Sequence, residues 1–170
     1  ASAHVMRVLV TSHGEFVPVF DAILEKATEL VPGTLGALMT YENGMFSGQS
    51  WRGDLPDEAK SILDMTMTPS PGSPLQSLVA GEPVMNLAFA APDTPPEAMA
   101  PGEHVSQGFV RAVGARAALL LPLRHNSTLL GAFIIYRSYP RPFSDVEVAV
   151  MQNFAAQGAL AIASARLQRE

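Results

Sequence analysis

The chain has 170 residues, of which 48% are hydrophobic and 16% are charged. This length fits one domain with a full hydrophobic core, and the high hydrophobic fraction argues against intrinsic disorder. The formal net charge of −5 argues against general nucleic-acid binding, which usually requires a basic surface.

The chain contains no cysteine. Disulfides, thiol nucleophiles, iron–sulfur clusters and cysteine-ligated zinc are therefore excluded. No polybasic segment is visible, and no apolar stretch approaches the roughly 20 residues needed to span a bilayer. We expect a cytoplasmic domain without membrane insertion. Because the chain does not begin with methionine, we also expect it to be part of a longer protein.

The N-terminal region is predicted to be helical. Residues 1–13 are interpreted as the tail of an upstream linker helix. A second helix is predicted over residues 15–31, because apolar residues recur there at spacings of three and four. Pro32-Gly33 ends this helix.

A β-hairpin follows. Two strands are predicted at residues 34–42 and 45–52, and Asn43-Gly44 lies between them. This dipeptide is a strong hairpin signal because both positions tolerate positive φ. A short helix is predicted over residues 56–64.

The middle of the chain is rich in proline. Ser73-Pro74-Leu75-Gln76 is predicted to open a short helix with a capping box, and Gly81 ends that helix. A short edge strand is predicted over residues 83–87. Residues 88–107 have no clear period and are interpreted as a lid over a pocket.

Two apolar strands are predicted after a short helix at residues 106–113. They cover residues 115–123 and 129–138, and Asn126-Ser127 forms the turn between them. The run at residues 117–121 is apolar at every position, which is typical of a strand that is covered on both faces.

The last helix, residues 144–170, has the clearest start. Ser144 and Glu147 are spaced as a capping box, and Phe143 and Val148 as a hydrophobic staple. The helix has no fully polar face, so one side is free to pack on a sheet while another needs a further partner. We expect the same helix of a second subunit to be that partner, which predicts a homodimer.

This order of elements predicts a single α+β domain over residues 1–170. An antiparallel sheet would carry the terminal helices on one face. The middle loops and short helices would cover the other face, with a pocket between them and the sheet.

The chain resembles GAF domains of bacterial multidomain sensor histidine kinases and related cyclases. The strongest block is Leu130-Gly131-Ala132-Phe133-Ile134-Ile135-Tyr136-Arg137. Further similar segments are residues 17–24, 35–38, 41–44, 73–75, 81–84, 114–116, 121–123, 141–145 and 153–157. Their order and spacing together carry the resemblance, over about residues 5–167.

The resemblance implies a PAS-related antiparallel sheet of five to six strands with a small-molecule pocket opposite the terminal helices. It implies a non-catalytic sensor that signals through those helices to an output domain in the same polypeptide, such as a histidine kinase or a nucleotide cyclase. The resemblance also implies dimerisation, since such domains often dimerise through the terminal helices. The alternative is a structural dimerisation and relay module that binds no ligand.

The resemblance leaves the cofactor unknown. Attachment of a bilin through cysteine is excluded, as is methionine-sulfoxide reductase activity, because both need cysteine. The segment at residues 143–147 resembles part of the cyclic-nucleotide signature but lacks its Asn-Lys pair. Heme would need an axial histidine such as His104, and one histidine alone does not indicate heme.

Strand ends and the lid position give a set of predicted pocket residues. They are Met39, Trp51, Met85, Phe89, Phe109, Leu121 and Tyr136. For Trp51, a core or rim aromatic is the simpler interpretation. Arg111, Arg116 and Arg137 are candidates to bind a ligand carboxylate, although a surface or structural role is the simpler interpretation of each. No catalytic or metal-binding motif is present, and we expect no enzymatic activity.

Overall fold

The computed structural model describes residues 16–89 and 107–169. The predicted linker helix, His104 and most of the predicted lid lie outside the described residues. Within them, the helices are α1 (Val17–Leu30), α2 (Asp57–Asp64), α3 (Pro74–Ala80), α4 (Gln107–Val113) and α5 (Asp145–Arg169). The strands are β1 (Thr34–Glu42), β2 (Met45–Arg52), β3 (Thr66–Met67), β4 (Met85–Ala88), β5 (Ala117–His125) and β6 (Thr128–Arg137).

The six strands form one antiparallel sheet in the order β3-β2-β1-β6-β5-β4. Strands β1 and β6 lie at its centre, where Leu38 is paired with Phe133. Strand β4 lies at one edge, as predicted, and Pro83 precedes it. The two-residue strand β3 was not predicted, because so short a segment has no period. The predicted α+β fold with an antiparallel sheet is confirmed.

The two faces of the sheet carry separate apolar clusters. Alternate residues of β5 illustrate this, since Leu119 and Leu121 belong to one cluster and Leu120 to the other. Helices α1 and α5 bury their apolar residues in the first cluster, through side chains such as Phe20 and Ile162. The short helices α2, α3 and α4 cover the opposite face. The terminal helices therefore share one face, as predicted.

The hairpin turns have the predicted backbone conformation. Asn43 has φ of 56° and Gly44 has φ of 78°, which allows the tight connection between β1 and β2. The connection between β5 and β6 is similar, with φ of 51° at Asn126 and 68° at Ser127. Both hairpins are confirmed at the positions that the sequence indicates.

The two predicted capping boxes differ in the structure. At the start of α5 the box is complete, because the Glu147 N–H donates to Ser144 Oγ at 3.1 Å and the Ser144 N–H donates to Glu147 Oε1 at 2.8 Å. At the start of α3 only one half forms. The Gln76 N–H donates to Ser73 Oγ at 3.3 Å, whereas the Ser73 N–H donates to the Ser70 carbonyl at 3.0 Å. The preceding turn thus takes the donor that a complete box would use.

Helix α5 buries one side and exposes another. Met151, Ala155 and Ile162 are buried against the sheet. The opposite side exposes apolar residues, with Val146 74%, Leu160 58% and Leu167 69% exposed.

By length and mean hydropathy, Asp145–Leu167 is long and apolar enough to cross a membrane. This corrects the expectation that no segment reaches that length, since an average over the helix tolerates its polar glutamine and asparagine residues. One helix of this kind is weak evidence for a membrane span, because the core helix of a soluble protein passes the same test.

Candidate ligand-binding site

A cavity of about 280 Å³ lies between the sheet and the short helices, on the face opposite α1 and α5. Its walls come from β1, β5 and β6 on one side and from α2, α3 and α4 on the other. The lining residues are Ala37, Met39, Ile62, Leu63, Met67, Pro69, Ser70, Ser73, Pro74, Leu75, Phe89, Val110, Leu120, Ile134 and Tyr136.

The sheet wall follows from the alternation of side chains along the strands. Ala37 and Met39 of β1 lie two residues apart, as do Ile134 and Tyr136 of β6. Side chains two apart in a strand point to the same face, so each pair contributes neighbouring parts of one surface. Leu120 of β5 continues this surface on the other side of β6.

Three of the lining residues carry hydroxyl groups. Ser73 accepts a hydrogen bond from the Gln76 N–H as the N-cap of α3, and Ser70 lies in the turn before it. Tyr136 lies on the sheet wall, and burial raises the pKa of its hydroxyl well above the ordinary value. The tyrosine is therefore neutral at physiological pH.

Two arginines near this face are engaged with backbone carbonyls. Arg116 Nε donates to the Phe89 carbonyl at 3.4 Å, and the Phe89 N–H donates to the Arg116 carbonyl at 2.7 Å. Arg124 Nη2 donates to the Leu78 carbonyl at 2.6 Å, near the end of α3. These contacts fix the backbone next to Phe89 and α3, both of which line the cavity.

Arg137 lies on the other face of the sheet. Its side chain is fully buried and donates to the carbonyls of Arg141 and Pro142, at 2.7 Å from Nη2 in each case. It pairs with Glu147 at 3.3 Å, and its guanidinium lies 3.9 Å from the centre of the Phe143 ring. Arg137 is thus a structural link between β6 and the start of α5.

The same contacts change the pKa of the Glu147 carboxylate. Partial burial alone would raise the pKa of Glu147, but the Ser144 backbone N–H and the Arg137 charge outweigh it. The net effect lowers the pKa of Glu147 below its usual value. The ion pair therefore persists under mildly acidic conditions.

The predicted pocket residues lie in different places. Met39, Phe89 and Tyr136 line the cavity. Trp51 is half-buried and packs in a cluster with Leu55 and Ala59, which is the core role that the sequence left open. Met85 packs at the edge of the cluster on the cavity face without lining the cavity.

Leu121 and Phe109 complete the predicted set. Leu121 is buried in the cluster under α1 and α5, on the far face of the sheet. The apolar run in β5 gives no alternation, so the sequence did not show which of Leu120 and Leu121 faces the cavity. Phe109 lies in α4, but its side chain is outside the described part of the structure.

Most of the helix wall was missed by the sequence analysis. In the sequence, Ile62, Leu63 and Leu75 are apolar residues of short predicted helices, and Ser73 is a predicted cap. Their second role, lining the cavity, is visible only once these helices are placed over the sheet. The alternation of Ile134 with Tyr136 was a usable signal, because it places Ile134 beside a predicted pocket residue.

No cluster of three or more metal-ligating side chains is found among residues 16–89 and 107–169. The acidic pairs Asp57/Glu58 and Asp145/Glu147 each lie in the first turn of a helix, where the helix dipole favours negative charge. This interaction with the helix dipole explains the acidic residues at these positions without a catalytic role.

A model of the GAF domain family matches residues 15–162. No curated protein sequence matches the chain significantly. Several solved structures do match.

The GAF domain/HD domain protein from Geobacter sulfurreducens is 18% identical, with a TM-score of 0.68 over 88% of this chain and 93% of that chain. A domain of a putative two-component sensor histidine kinase from Sinorhizobium meliloti 1021 is 18% identical, with a TM-score of 0.65 over 88% and 92%. The GAF domain of a two-component sensor histidine kinase from Bacillus halodurans is 13% identical, with a TM-score of 0.68 over 90% and 97%.

At these identities the solved structures show the fold, and the family model covers most of the chain. GAF domains are commonly sensors in histidine kinases and are generally regulatory rather than catalytic. The chain belongs to the GAF domain family.

Proposed function

We propose that this domain is a non-catalytic sensor that binds a small molecule in the cavity. The signal would pass through α5 to an output domain of the same polypeptide on the cytoplasmic side, such as a histidine kinase or a nucleotide cyclase. The supporting observation is the cavity itself. Protein interiors are close-packed, and a void of about 280 Å³ approaches the size of known ligand pockets.

The position of β6 supports transmission from the cavity to α5. Ile134 and Tyr136 of this strand line the cavity on one face. The next residue, Arg137, points to the other face and pairs with Glu147 in the first turn of α5. A ligand that favours one position of β6 would therefore bias the position of α5 through a direct contact.

The exposed side of α5 supports dimerisation. Val146, Asn153, Leu160 and Leu167 are exposed and recur every seven residues, and we name them the α5 stripe. A seven-residue repeat is the spacing at which two helices pack along their whole length. A single asparagine among apolar residues at such positions fixes the register of paired helices. A second copy of the chain is the partner that this pattern fits.

Native mass spectrometry tests the sensor proposal. We expect the folded domain to carry extra mass that is lost on denaturation, which would correspond to a retained ligand. The variant Leu75→Trp fills the cavity from α3 and should lose this mass. Leu30→Trp is the control, because Leu30 is 60% exposed at the end of α1 and lies outside the cavity lining.

An equal mass in both states would call for a second measurement, a thermal-shift screen against metabolites. A ligand that binds only the folded state must raise its stability. If no compound raises the melting temperature of the domain, the sensor proposal is wrong and a ligand-free dimerisation and relay module takes its place.

A further inference from the structure

The cavity wall is distinguished by its lack of charge. Among the described residues that line the cavity, twelve are apolar and three carry hydroxyl groups, and none is an aspartate, glutamate, lysine, arginine or histidine. A charged ligand group would exchange its hydration for this apolar surface, which is costly without an opposite charge or several hydrogen bonds.

Arginines near this wall already have interaction partners, among them Arg111, which follows the cavity-lining Val110 in α4. Arg116 and Arg124 donate to the carbonyls of Phe89 and Leu78, respectively. Redirecting either guanidinium toward a ligand would leave a backbone carbonyl without that donor. Arg137 is buried on the opposite face of the sheet in its contacts with Glu147 and two carbonyls.

The residue types of the wall and the volume of the cavity favour a compact molecule with a ring. Phe89 and Tyr136 bring two aromatic rings to the cavity, and aromatic faces stack on planar groups. Met39 and Met67 add flexible, polarisable side chains that adapt to the outline of a ligand. The volume of about 280 Å³ lies at the small end of ligand pockets and admits a two-ring molecule.

We propose, building on the sensor function, that the cavity selects uncharged, compact, ring-containing molecules with a single hydrogen-bonding group. The polar group would meet the hydroxyl of Ser73, which lines the cavity at the start of α3. The apolar rings would contact Met39, Phe89 and Leu120.

A matched pair of probes tests the selection. 2-Naphthol and 2-naphthoate share a ring system but differ in charge at neutral pH. We expect 2-naphthol to raise the melting temperature of the domain and to bind at least about tenfold more tightly than 2-naphthoate, because the carboxylate would be buried without an opposite charge. Isothermal titration calorimetry gives the two dissociation constants.

A charge placed in the wall should reverse the preference. Met67 lines the cavity and is half-buried, so Met67→Lys is able to keep its ammonium group partly hydrated while reaching a bound carboxylate. This variant should bind 2-naphthoate more tightly than 2-naphthol. Met65→Lys is the matched control, since Met65 is 59% exposed outside the cavity lining, and it should retain the wild-type preference. Circular dichroism checks that both variants fold.

The outcomes separate this inference from the sensor function. Equal or tighter binding of 2-naphthoate by the wild-type domain overturns the selection for uncharged molecules. Failure of both probes to bind overturns the ligand class. In either case extra mass in the native spectrum would still support a sensor with a different ligand, whereas its absence together with no stabilising metabolite would reject the sensor function.

Discussion

At the scale of single residues, Arg137 shows how environment decides the role of a side chain. In the sequence it ends an apolar strand and is a candidate for binding a ligand carboxylate. In the structure it faces away from the cavity, and its charge is satisfied by Glu147 and by the carbonyls of Arg141 and Pro142. The sequence could not reveal this, because the loop carbonyls that surround Arg137 carry no side-chain signal.

We predict that Arg137→Met destabilises the domain strongly. The substitution removes the donors to two carbonyls and leaves the partly exposed Glu147 without its partner, so the free energy of unfolding should fall by about 2–5 kcal/mol. Arg137→Lys should have a smaller effect, because lysine keeps the charge but lacks the planar array of donors. Urea denaturation measures both.

The control for this prediction is Arg141→Met. Arg141 is exposed, and its guanidinium lies 5.4 Å from the centre of the Tyr139 ring. Its loss should change the free energy of unfolding by no more than about 0.5 kcal/mol. Equal effects of Arg137→Met and Arg141→Met would show that the buried contacts of Arg137 contribute little.

At the scale of elements, the sequence predicted those segments that have their own local signals. The bounds of β1 and β2 match the prediction because Asn43-Gly44 fixes the turn between them. The start of α5 matches because Ser144 and Glu147 cap each other. The cavity was harder to predict, because its wall joins residues from seven separate elements and from the loops between them. Only strand alternation, as in β6, gave local information about it.

Two glycines in packed elements should respond in opposite directions to alanine. A Cβ on Gly131 in β6 would overlap the backbone carbonyl of Met39 in β1, so the central strands would have to separate. Gly131→Ala should lower the free energy of unfolding by about 1–3 kcal/mol. A Cβ on Gly158 in α5 would make an ordinary contact, 3.5 Å from Leu123 Cδ2. Gly158→Ala should stabilise the domain by about 0.5–1 kcal/mol, because alanine favours helix.

Thermal and urea unfolding of the two variants check this pair. Each variant serves as the control of the other, since both add one methyl group to a glycine on a buried part of the domain. A stabilising Gly131→Ala would mean that β1 and β6 approach less closely than described. A destabilising Gly158→Ala would mean that α5 packs more tightly on the sheet than the contacts to Leu123 indicate.

At the scale of the whole molecule, the α5 stripe predicts the oligomeric state. We expect the wild-type domain to sediment as a dimer at micromolar concentration. Leu160→Glu places two carboxylates in the paired helices and should weaken the dimer at least about tenfold. Analytical ultracentrifugation over a range of concentrations measures the dissociation constant.

The control for the dimer is Met65→Glu. Met65 is 59% exposed and Leu160 is 58% exposed, but Met65 lies after α2 and outside α5. This variant should dimerise as the wild type does. A wild-type domain that remains monomeric at high concentration, or two variants with the same dissociation constant, would contradict pairing through the α5 stripe.

The pairing of β1 with β6 has a consequence for how the domain acquires its cavity during synthesis. Met39 and Tyr136 lie on the same wall although 97 residues separate them along the chain (136 − 39). Strand β1 therefore cannot pair with β6 until β6 has left the ribosome. Contacts so distant in sequence slow folding. Until then, the apolar residues of β1 lack one of their two neighbouring strands. A nascent chain would accordingly become able to retain a ligand only after β6 has been synthesised, and a ligand already present in the cell would favour the newly completed fold.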